Sequence, residues 1–328
     1  MKRNIAVIGC GYWGKNHVRA LDELGYLGAI CDSDLNNKIV GDGVASSKEK
    51  LVHKYRHVAQ FTDYWDVLED GSIDAVVVAT PAKTHSEITI NALDAGKHVL
   101  VEKPMAISTA EADRMMLAAS FSHKILMIGH ILEYHPAVIA LEKYIRDGHL
   151  GELQYFYSSR LNIGRIRREE NVLWSFAPHD IALIRTIVGV SPLFVGVKEA
   201  SYLTEGVSDI TIMHLDFPGG IKAHIFVSWL HPVKEQKFVV IGSKAMAVFD
   251  DQTNEKVKIY EHKIEWKEPS EVAHIDKAEY KILCGSFGGA EPLKDELKHF
   301  VECCETGKAP KTGGAEGREV LNILEGRK

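Results

Sequence analysis

The first 130 residues alternate between short apolar runs and longer amphipathic stretches. Five runs rich in Val and Ile have the length of buried strands and lie at residues 4–9, 27–32, 74–81, 97–104 and 124–130. Stretches with apolar residues at helical spacing lie between them, at residues 13–25, 46–56, 84–96 and 108–121. Strands that alternate with helices in this way predict βαβ units and a doubly wound parallel sheet.

Two of these helices carry start signals. Thr84 with Glu87 and Ser108 with Glu111 each match the spacing of a capping box, in which the first side chain accepts a hydrogen bond from the amide three residues later. We therefore expect helices to begin at these two positions.

The pattern changes after residue 130. After a helix at 135–148, apolar and polar residues alternate at the strand period of two in the segments 152–163, 209–217, 220–230, 236–243, 245–251 and 256–261. Helices are expected at 176–189 and 292–307. The alternation predicts a large, open-faced, mostly antiparallel sheet with one packed face and one face available to a partner. We predict an α/β protein with a doubly wound domain at 1–130 and an α+β domain at 131–328.

Composition narrows the classes of function. The chain has 328 residues, 45% of them apolar, and a formal net charge of -6. An acidic balance argues against a nucleic-acid or membrane surface, because both select a broad basic field. Five scattered cysteines show no disulfide framework and no metal-ligand spacing, and the N-terminal apolar run is too short for a signal peptide. These features favour a cytoplasmic protein without membrane or metal.

Three glycines follow the first predicted strand in the segment GCGYWG. Gly9, Gly11 and Gly14 supply a residue for the sharp turn, a close backbone approach to a pyrophosphate, and a close contact between helix and strand. The helix that follows offers its N-terminal amides to the phosphates. Asp32 ends the second strand, where a carboxylate can bind ribose hydroxyls. Together these residues predict dinucleotide binding.

Other residues of these segments refine the cofactor prediction. No arginine follows Asp32, so a 2′-phosphate would be repelled and NAD is favoured over NADP. Tyr12 and Trp13 belong to the candidate cofactor-binding loop, although covering apolar surface is the favoured explanation for both. Further candidates follow the third and fourth strands, because ligands bind at the carboxyl ends of parallel strands; they are Thr80, Pro81, His85, Glu102 and Lys103.

The motifs GCGYWG, ATPAKTH and VEKP, in this order and spacing, resemble the Gfo/Idh/MocA family of NAD(P)-dependent oxidoreductases. The resemblance spans essentially the whole chain. It implies a Rossmann domain followed by an open-faced sheet domain that binds a small-molecule substrate and mediates assembly into a homo-oligomer, a dimer or a tetramer. It also implies that Lys103 faces the nicotinamide and the substrate.

The second domain carries a cluster of basic residues. The strand period places Arg160 and Asn162 on one face, and Arg165, Arg167 and Arg168 follow. The cluster could be a solvated loop, but a bound polyanion explains it better, because guanidinium groups match phosphate and carboxylate oxygens. The surrounding segments are similar to the sugar-nucleotide branch of the family, whose members oxidise the 3-hydroxyl of UDP-N-acetylglucosaminuronic acid for surface polysaccharides. We therefore expect Arg160, Asn162 and Arg165 to bind substrate.

A histidine in the second domain is the candidate base. His179 is expected at the start of a helix, where it could also cap or pack, and the family resemblance carries a catalytic histidine onto it. Many relatives have an aspartate four residues earlier, where this chain has Ser175. A free imidazole titrates near pH ~6.5 and is poised to accept a proton. We therefore expect His179 to act as base, with Lys103 orienting and polarising the hydroxyl oxygen and Asp180 orienting or capping the helix.

Two other functions remain open at this point. A dehydrogenase of a free polyol or monosaccharide would need fewer arginines and would normally have the missing aspartate. A non-catalytic dinucleotide-binding sensor would share the glycine loop, because that motif indicates binding and not turnover. The joint presence of Lys103 and His179 favours an enzyme.

Overall fold

A computed structural model describes residues 4–35, 38–39, 46–164, 166–168, 170–268, 272–286 and 290–326 of the chain. The described chain divides into two compact units. Unit 1 contains residues up to 131 together with 291–325, and unit 2 contains residues 132–290. None of the described helices is long and apolar enough to cross a membrane.

Unit 1 is built around a six-stranded parallel sheet. In spatial order its strands are β5 (Ala59–Phe61), β2 (Leu27–Cys31), β1 (Ile5–Ile8), β6 (Ala75–Val78), β7 (His98–Glu102) and β8 (Leu126–Gly129). Every residue of β1 and β6 is buried, as expected for central strands covered on both faces. The strand order reverses between β1 and β6, which is the point where doubly wound folds bind ligands.

Helices connect these strands. They are α1 (Gly14–Leu24), α2 (Lys48–Lys54), α3 (Tyr64–Glu69), α4 (His85–Asp94) and α5 (Thr109–Ser122), and two short strands, β3 (Lys38–Ile39) and β4 (Ser46–Ser47), precede α2. The cap predicted at Ser108 is confirmed, since its hydroxyl accepts a hydrogen bond from the amide of Glu111. The cap predicted at Thr84 is wrong, because the Thr84 hydroxyl donates instead to Thr80 and to the carbonyl oxygen of Pro81.

Two C-terminal helices belong to unit 1, although the sequence analysis placed residues 131–328 together. They are α8 (Pro292–Thr306) and α9 (Gly314–Leu324). Arg19 of α1 pairs with Glu291 at the start of α8, and Arg318 of α9 pairs with Asp113 of α5. A Cβ on Gly317 would come within 2.7 Å of Ile128 in β8, so α9 packs closely on the sheet.

Unit 2 contains an eight-stranded, mostly antiparallel sheet. In spatial order its strands are β10 (Phe194–Ala200), β11 (Ile210–Asp216), β12 (Lys222–Ser228), β9 (Leu153–Leu161), β13 (Glu235–Gly242), β14 (Met246–Asp250), β15 (Val257–Tyr260) and β18 (Lys281–Cys284). Only the pair formed by β12 and β9 is parallel among the described strands of this sheet. Strands β16 (Lys263–Glu265) and β17 (His274–Asp276) form a separate pair. The expected sheet is therefore confirmed.

Unit 2 also contains two long helices, α6 (Pro136–Arg146) and α7 (Val172–Val188). Helix α7 packs on one face of the sheet, against β9, β11 and β12. It begins four residues before the predicted start because the side chain of Asn171 caps it by accepting from the amide of Trp174. His179 therefore lies inside α7 and not at its start, which corrects the expected position. Strands β10 and β16–β18 and helix α9 were not predicted from the sequence.

Candidate functional site

The glycine loop between β1 and α1 depends on two of its three glycines for its shape. Gly9 has a φ of +94°, and a Cβ there would lie 2.7 Å from the backbone of Ala79 and Thr80. A Cβ on Gly14 would lie 1.8 Å from the carbonyl oxygen of Gly9. A Cβ on Gly11 would meet no atom within 4 Å, so this residue leaves open space at the loop. The arrangement matches the three roles expected for the motif.

Asp32 follows β2 and holds the same loop. Its carboxylate accepts hydrogen bonds from the amides of Cys10 at 2.8 Å and Asp34 at 3.1 Å. Helix α1 begins without a side-chain cap from Trp13, its N-cap residue, and the amides of a helix's first turn favour an anion. The donors of the loop and the carboxylate beside them fit the diphosphate and the ribose of a dinucleotide.

Glu102 ends β7 and accepts hydrogen bonds from side chains of the glycine loop and of α1. Its Oε1 accepts hydrogen bonds from Trp13 Nε1 and from His17 Nε2, both at 2.6 Å, and the amide of Lys103 donates to Oε2 at 3.2 Å. Burial alone would raise the pKa of Glu102, but its bond to His17 and the positive charge of Lys103 hold that pKa below its ordinary value. Glu102 is therefore a carboxylate at neutral pH.

His130 follows β8 beside the same strand ends. It is 2% exposed, and neither ring nitrogen has a hydrogen-bond partner among the described residues. Burial lowers its pKa to about 4, with a smaller contribution from Lys103 in the same direction. The ring is consequently neutral at physiological pH.

His85 occupies the place predicted for it, at the start of α4, but acts differently. Its Nε2 lies 2.8 Å from the carbonyl oxygen of Thr80, and its Nδ1 lies 2.9 Å from that of Pro104. The ring is 1% exposed, and burial lowers its pKa. Both nitrogens face backbone oxygens, so no nitrogen is left for the cofactor. His85 therefore shapes the segments at Thr80–Pro81 and Lys103–Pro104, and its direct contact with the cofactor stays a prediction that these bonds do not support.

Arg160 lies on the packed face of the sheet in unit 2 and has a protein partner. Its Nε and one terminal nitrogen contact the two carboxylate oxygens of Asp180 in α7, at 3.0 and 3.1 Å. Burial would lower the pKa of Arg160, but the attraction of Asp180 raises it. From the sequence, this guanidinium was predicted to bind substrate. In the structure its paired edge fixes α7 to β9.

The other residues expected to bind substrate are in different situations. Asn162 lies directly after β9, and its buried Oδ1 has no hydrogen-bond partner among the described residues. Arg165 lies outside the described residues. Arg167 pairs with Glu170, and Arg168 is exposed. The substrate contacts of Arg160, Asn162 and Arg165, and the catalytic roles of Lys103 and His179, stay predictions.

His17 and Glu296 were not predicted from the sequence, although the pattern around each residue indicates a buried polar group. His17 stands between Gly14, Val18 and Leu21 on the buried face of α1. Glu296 stands in the same way between Leu293, Leu297 and Phe300 on the buried face of α8. A polar residue on an apolar helical stripe indicates a buried polar group. Across the described ranges, no cluster of three His, Cys, Asp or Glu side chains is arranged to hold a metal ion.

Family comparisons agree with this architecture. A family model described as an oxidoreductase family with an NAD-binding Rossmann fold matches residues 3–130. A second model, described as the GFO/IDH/MocA C-terminal domain, matches residues 138–248.

Individual relatives differ in their substrates. UDP-N-acetylglucosamine 3-dehydrogenase from Acidithiobacillus ferrooxidans is 27% identical over 68% of this chain, and the match spans only 66% of that relative's length. The scyllo-inositol 2-dehydrogenase (NAD(+)) of Bacillus subtilis is 23% identical over 93% of this chain and 87% of its own length. The crystal structure of the Acidithiobacillus enzyme, GnnA, superimposes with a TM-score of 0.80 at 22% identity and covers 99% of this chain and 96% of its own. At that identity the superposition shows the fold alone.

Proposed function

From the premise that this chain belongs to the Gfo/Idh/MocA family of oxidoreductases, with an NAD-binding Rossmann domain, we propose that it is an NAD-dependent dehydrogenase of a nucleotide-linked sugar. The expected reaction oxidises the 3-hydroxyl of UDP-N-acetylglucosaminuronic acid to the 3-keto sugar. The observation that carries the proposal is the hydrogen bond from Trp13 of the glycine loop to Glu102, the residue directly before Lys103, at the carboxyl ends of the parallel strands.

The residues of unit 1 have distinct parts in this proposal. The amides of the glycine loop and α1 bind the diphosphate, and Asp32 binds the adenosine ribose. Bound NAD⁺ supplies the acceptor for the hydride that leaves the sugar carbon. Lys103 follows the ionised carboxylate of Glu102 and orients and polarises the hydroxyl oxygen. His179 of unit 2 accepts the hydroxyl proton.

A nucleotide sugar is supported by the match to a UDP-sugar dehydrogenase and by the basic segment around Arg168. A dehydrogenase of a free inositol is the second candidate. Two observations favour it: the inositol enzyme of Bacillus subtilis matches nearly the full chain, and Arg160 and Arg167 already pair with carboxylates of this protein. Because these two arginines are already paired within the protein, fewer basic groups are available to bind a diphosphate.

A substrate panel separates these candidates. NADH formation is measured with UDP-N-acetylglucosaminuronic acid, UDP-N-acetylglucosamine, scyllo-inositol, myo-inositol and glucose at matched concentrations. We expect turnover with the UDP-sugars, and more with the uronic acid because it adds a carboxylate. Turnover with an inositol alone would replace the proposal by the second candidate. NAD binding without turnover on a broad panel of sugars would favour a sensor.

We also propose that the chain forms a homo-oligomer through the open face of its large sheet. The residues on this face that α7 does not cover are partly exposed and mostly apolar, and they include Tyr155, Tyr157, Ile212, Phe226 and Val239. A contiguous exposed apolar surface is typical of an interface.

Sedimentation of the wild type and of two variants tests the interface. Ile212→Glu places a charge on the open face and should shift the protein toward the monomer. Phe121→Glu, at an exposed apolar residue of α5, is the matched control and should leave the oligomer unchanged. A monomeric wild type, or an Ile212→Glu oligomer identical to the wild type, would contradict this interface.

A further inference from the structure

Glu296 is a buried acid in α8. It has no exposed surface, and neither carboxylate oxygen has a hydrogen-bond partner within the described part of the chain. An unpaired carboxylate is strongly disfavoured in such surroundings, and a carboxyl group avoids the cost by keeping its proton. Burial and the negative charge of Glu102 raise the pKa of Glu296 well above its ordinary value. The surroundings of Glu296 therefore favour its neutral, protonated form.

Glu102 has the opposite surroundings. Three donors reach its carboxylate, from Trp13, His17 and the amide of Lys103, and they stabilise the ionised form. Two buried acids that interact electrostatically thus differ in the charge that their surroundings favour, because one is hydrogen-bonded and the other is not. The pair carries a single negative charge, and the proton of the pair is on Glu296.

The pair is connected to the cofactor-binding segment through α1. Helix α8 packs against α1, the helix that follows the glycine loop, and His17 of α1 donates to Glu102. Glu102 directly precedes Lys103, which the family resemblance places beside the nicotinamide. A positive charge that binds near Glu102 therefore favours the ionised form of both acids. Of the two acids, Glu296 is the one that has a proton to lose.

We infer that Glu296 determines the relative affinity of the protein for NAD⁺ and NADH, by releasing its proton to solvent when the positively charged nicotinamide binds and by keeping it when the neutral dihydronicotinamide binds. Glu296 does not touch the cofactor in this scheme and acts through Glu102, as a positioning residue for charge. The inference depends on cofactor binding and not on the identity of the sugar.

Other ionisable groups on the surrounding elements could also respond. They are His17, Arg19 and Glu23 of α1, Lys103 after β7, His130 after β8, and Glu291, Lys294 and His299 next to or within α8. Arg19, Glu23, Glu291 and Lys294 neutralise one another in a network of ion pairs. His130 is already neutral above a pH of about 4. Lys103 could also release a proton to solvent when NAD⁺ binds, so the test must separate it from Glu296.

The first test measures thermal stability without cofactor between pH 5 and pH 8. Because the pKa of Glu296 is raised by folding, its contribution is fully present below the ordinary value of 4.5 and is lost as the pH rises toward the raised value. Glu296→Gln keeps the shape of the neutral acid but cannot ionise, so its stability does not fall with the titration of residue 296. The Tm of Glu296→Gln minus that of the wild type should therefore grow with pH. Glu302→Gln changes an exposed acid of the same helix. The Tm of this variant minus that of the wild type should stay constant with pH.

The second test measures proton release by calorimetry of NAD⁺ and NADH binding in two buffers of different ionisation enthalpy. From pH 6 to 9, the wild type should release more protons with NAD⁺ than with NADH. The ratio of the Kd for NADH to the Kd for NAD⁺ should rise by up to ~10-fold per pH unit within the titration range of Glu296. Glu296→Gln should lose this excess although Lys103 is still present, and Glu302→Gln should keep it.

Three results would overturn the inference. The first is equal proton release with NAD⁺ and NADH in the wild type at every pH. The second is an excess that persists in Glu296→Gln, which would assign the proton to Lys103. The third is a Tm of Glu296→Gln that lies below the wild type by the same amount at every pH. If Glu296→Gln does not fold, Glu296→Met replaces it, and the wild-type comparison of the two cofactors still decides.

Discussion

The two units of this protein differ in what surrounds their candidate functional residues. In unit 1, the candidates hold one another: Trp13 donates to Glu102, and Asp32 accepts from the glycine loop. In unit 2, Arg160 is held by Asp180, a residue with no expected part in binding substrate. The comparison teaches that the ends of parallel strands locate a ligand site, whereas alternation along a strand gives only the face of a residue and not its partner.

The largest expected effect concerns the chemistry assigned to unit 1. Lys103→Met should cut kcat by ~10²- to 10⁴-fold, the range expected when a group that is positioned on the reacting hydroxyl is removed. NAD affinity should stay close to normal, because the proposed diphosphate and ribose contacts are the glycine loop and Asp32. Steady-state kinetics and NADH titration measure the two quantities. Lys83→Met, at an exposed lysine of the same unit, is the control, and an equal kcat in the two variants would remove Lys103 from the mechanism.

The next effect separates structure from binding in unit 2. Arg160→Leu should destabilise the protein by ~3–5 kcal/mol, because it leaves the buried carboxylate of Asp180 unpaired. Arg167→Leu, which breaks a more exposed pair, should cost at most ~1 kcal/mol. Chemical denaturation measures both.

A double variant sharpens this second prediction. Arg160→Leu combined with Asp180→Leu should recover much of the lost stability, since no buried charge is then left without a partner. If Arg160→Leu folds with wild-type stability and only raises the KM for the sugar, the guanidinium serves the substrate and the ion pair is incidental.

The smallest effect concerns cofactor choice. Asp32→Asn keeps an oxygen that can accept from the amide of Cys10 but removes the charge. It should weaken NAD binding by ~1.5–3 kcal/mol, the typical worth of hydrogen bonds to a charged group, and should reduce discrimination against NADP. Asp32→Ala loses the loop contact as well and should also lower Tm. A wild type that already prefers NADP would show that Asp32 does not select the cofactor.

The sequence predicted the parallel sheet and the glycine loop because both are determined locally. Gly9 and Gly14 are required by contacts within a few residues of the turn or with the adjacent strand. Contacts between residues that are distant in sequence could not be predicted from local patterns. Asp180 meets Arg160 only because α7 packs on β9, and the start of α8 is joined to α1 by the bond between Glu291 and Arg19, which lie 272 residues apart. The start of α7 was misplaced because Asn171 caps it ahead of the apolar stripe.

The most direct test of the central claim is the pH dependence of kcat/KM for the wild type, His179→Asn and Lys103→Met, with the sugar of the panel that gives turnover. With His179 as base, the wild-type kcat/KM should rise over the range in which histidines titrate. This rise of kcat/KM with pH should be present in Lys103→Met and absent in His179→Asn. If His179→Asn keeps near-normal turnover with an unchanged profile, the base is not His179; if both variants keep it, the proposed catalytic mechanism is contradicted.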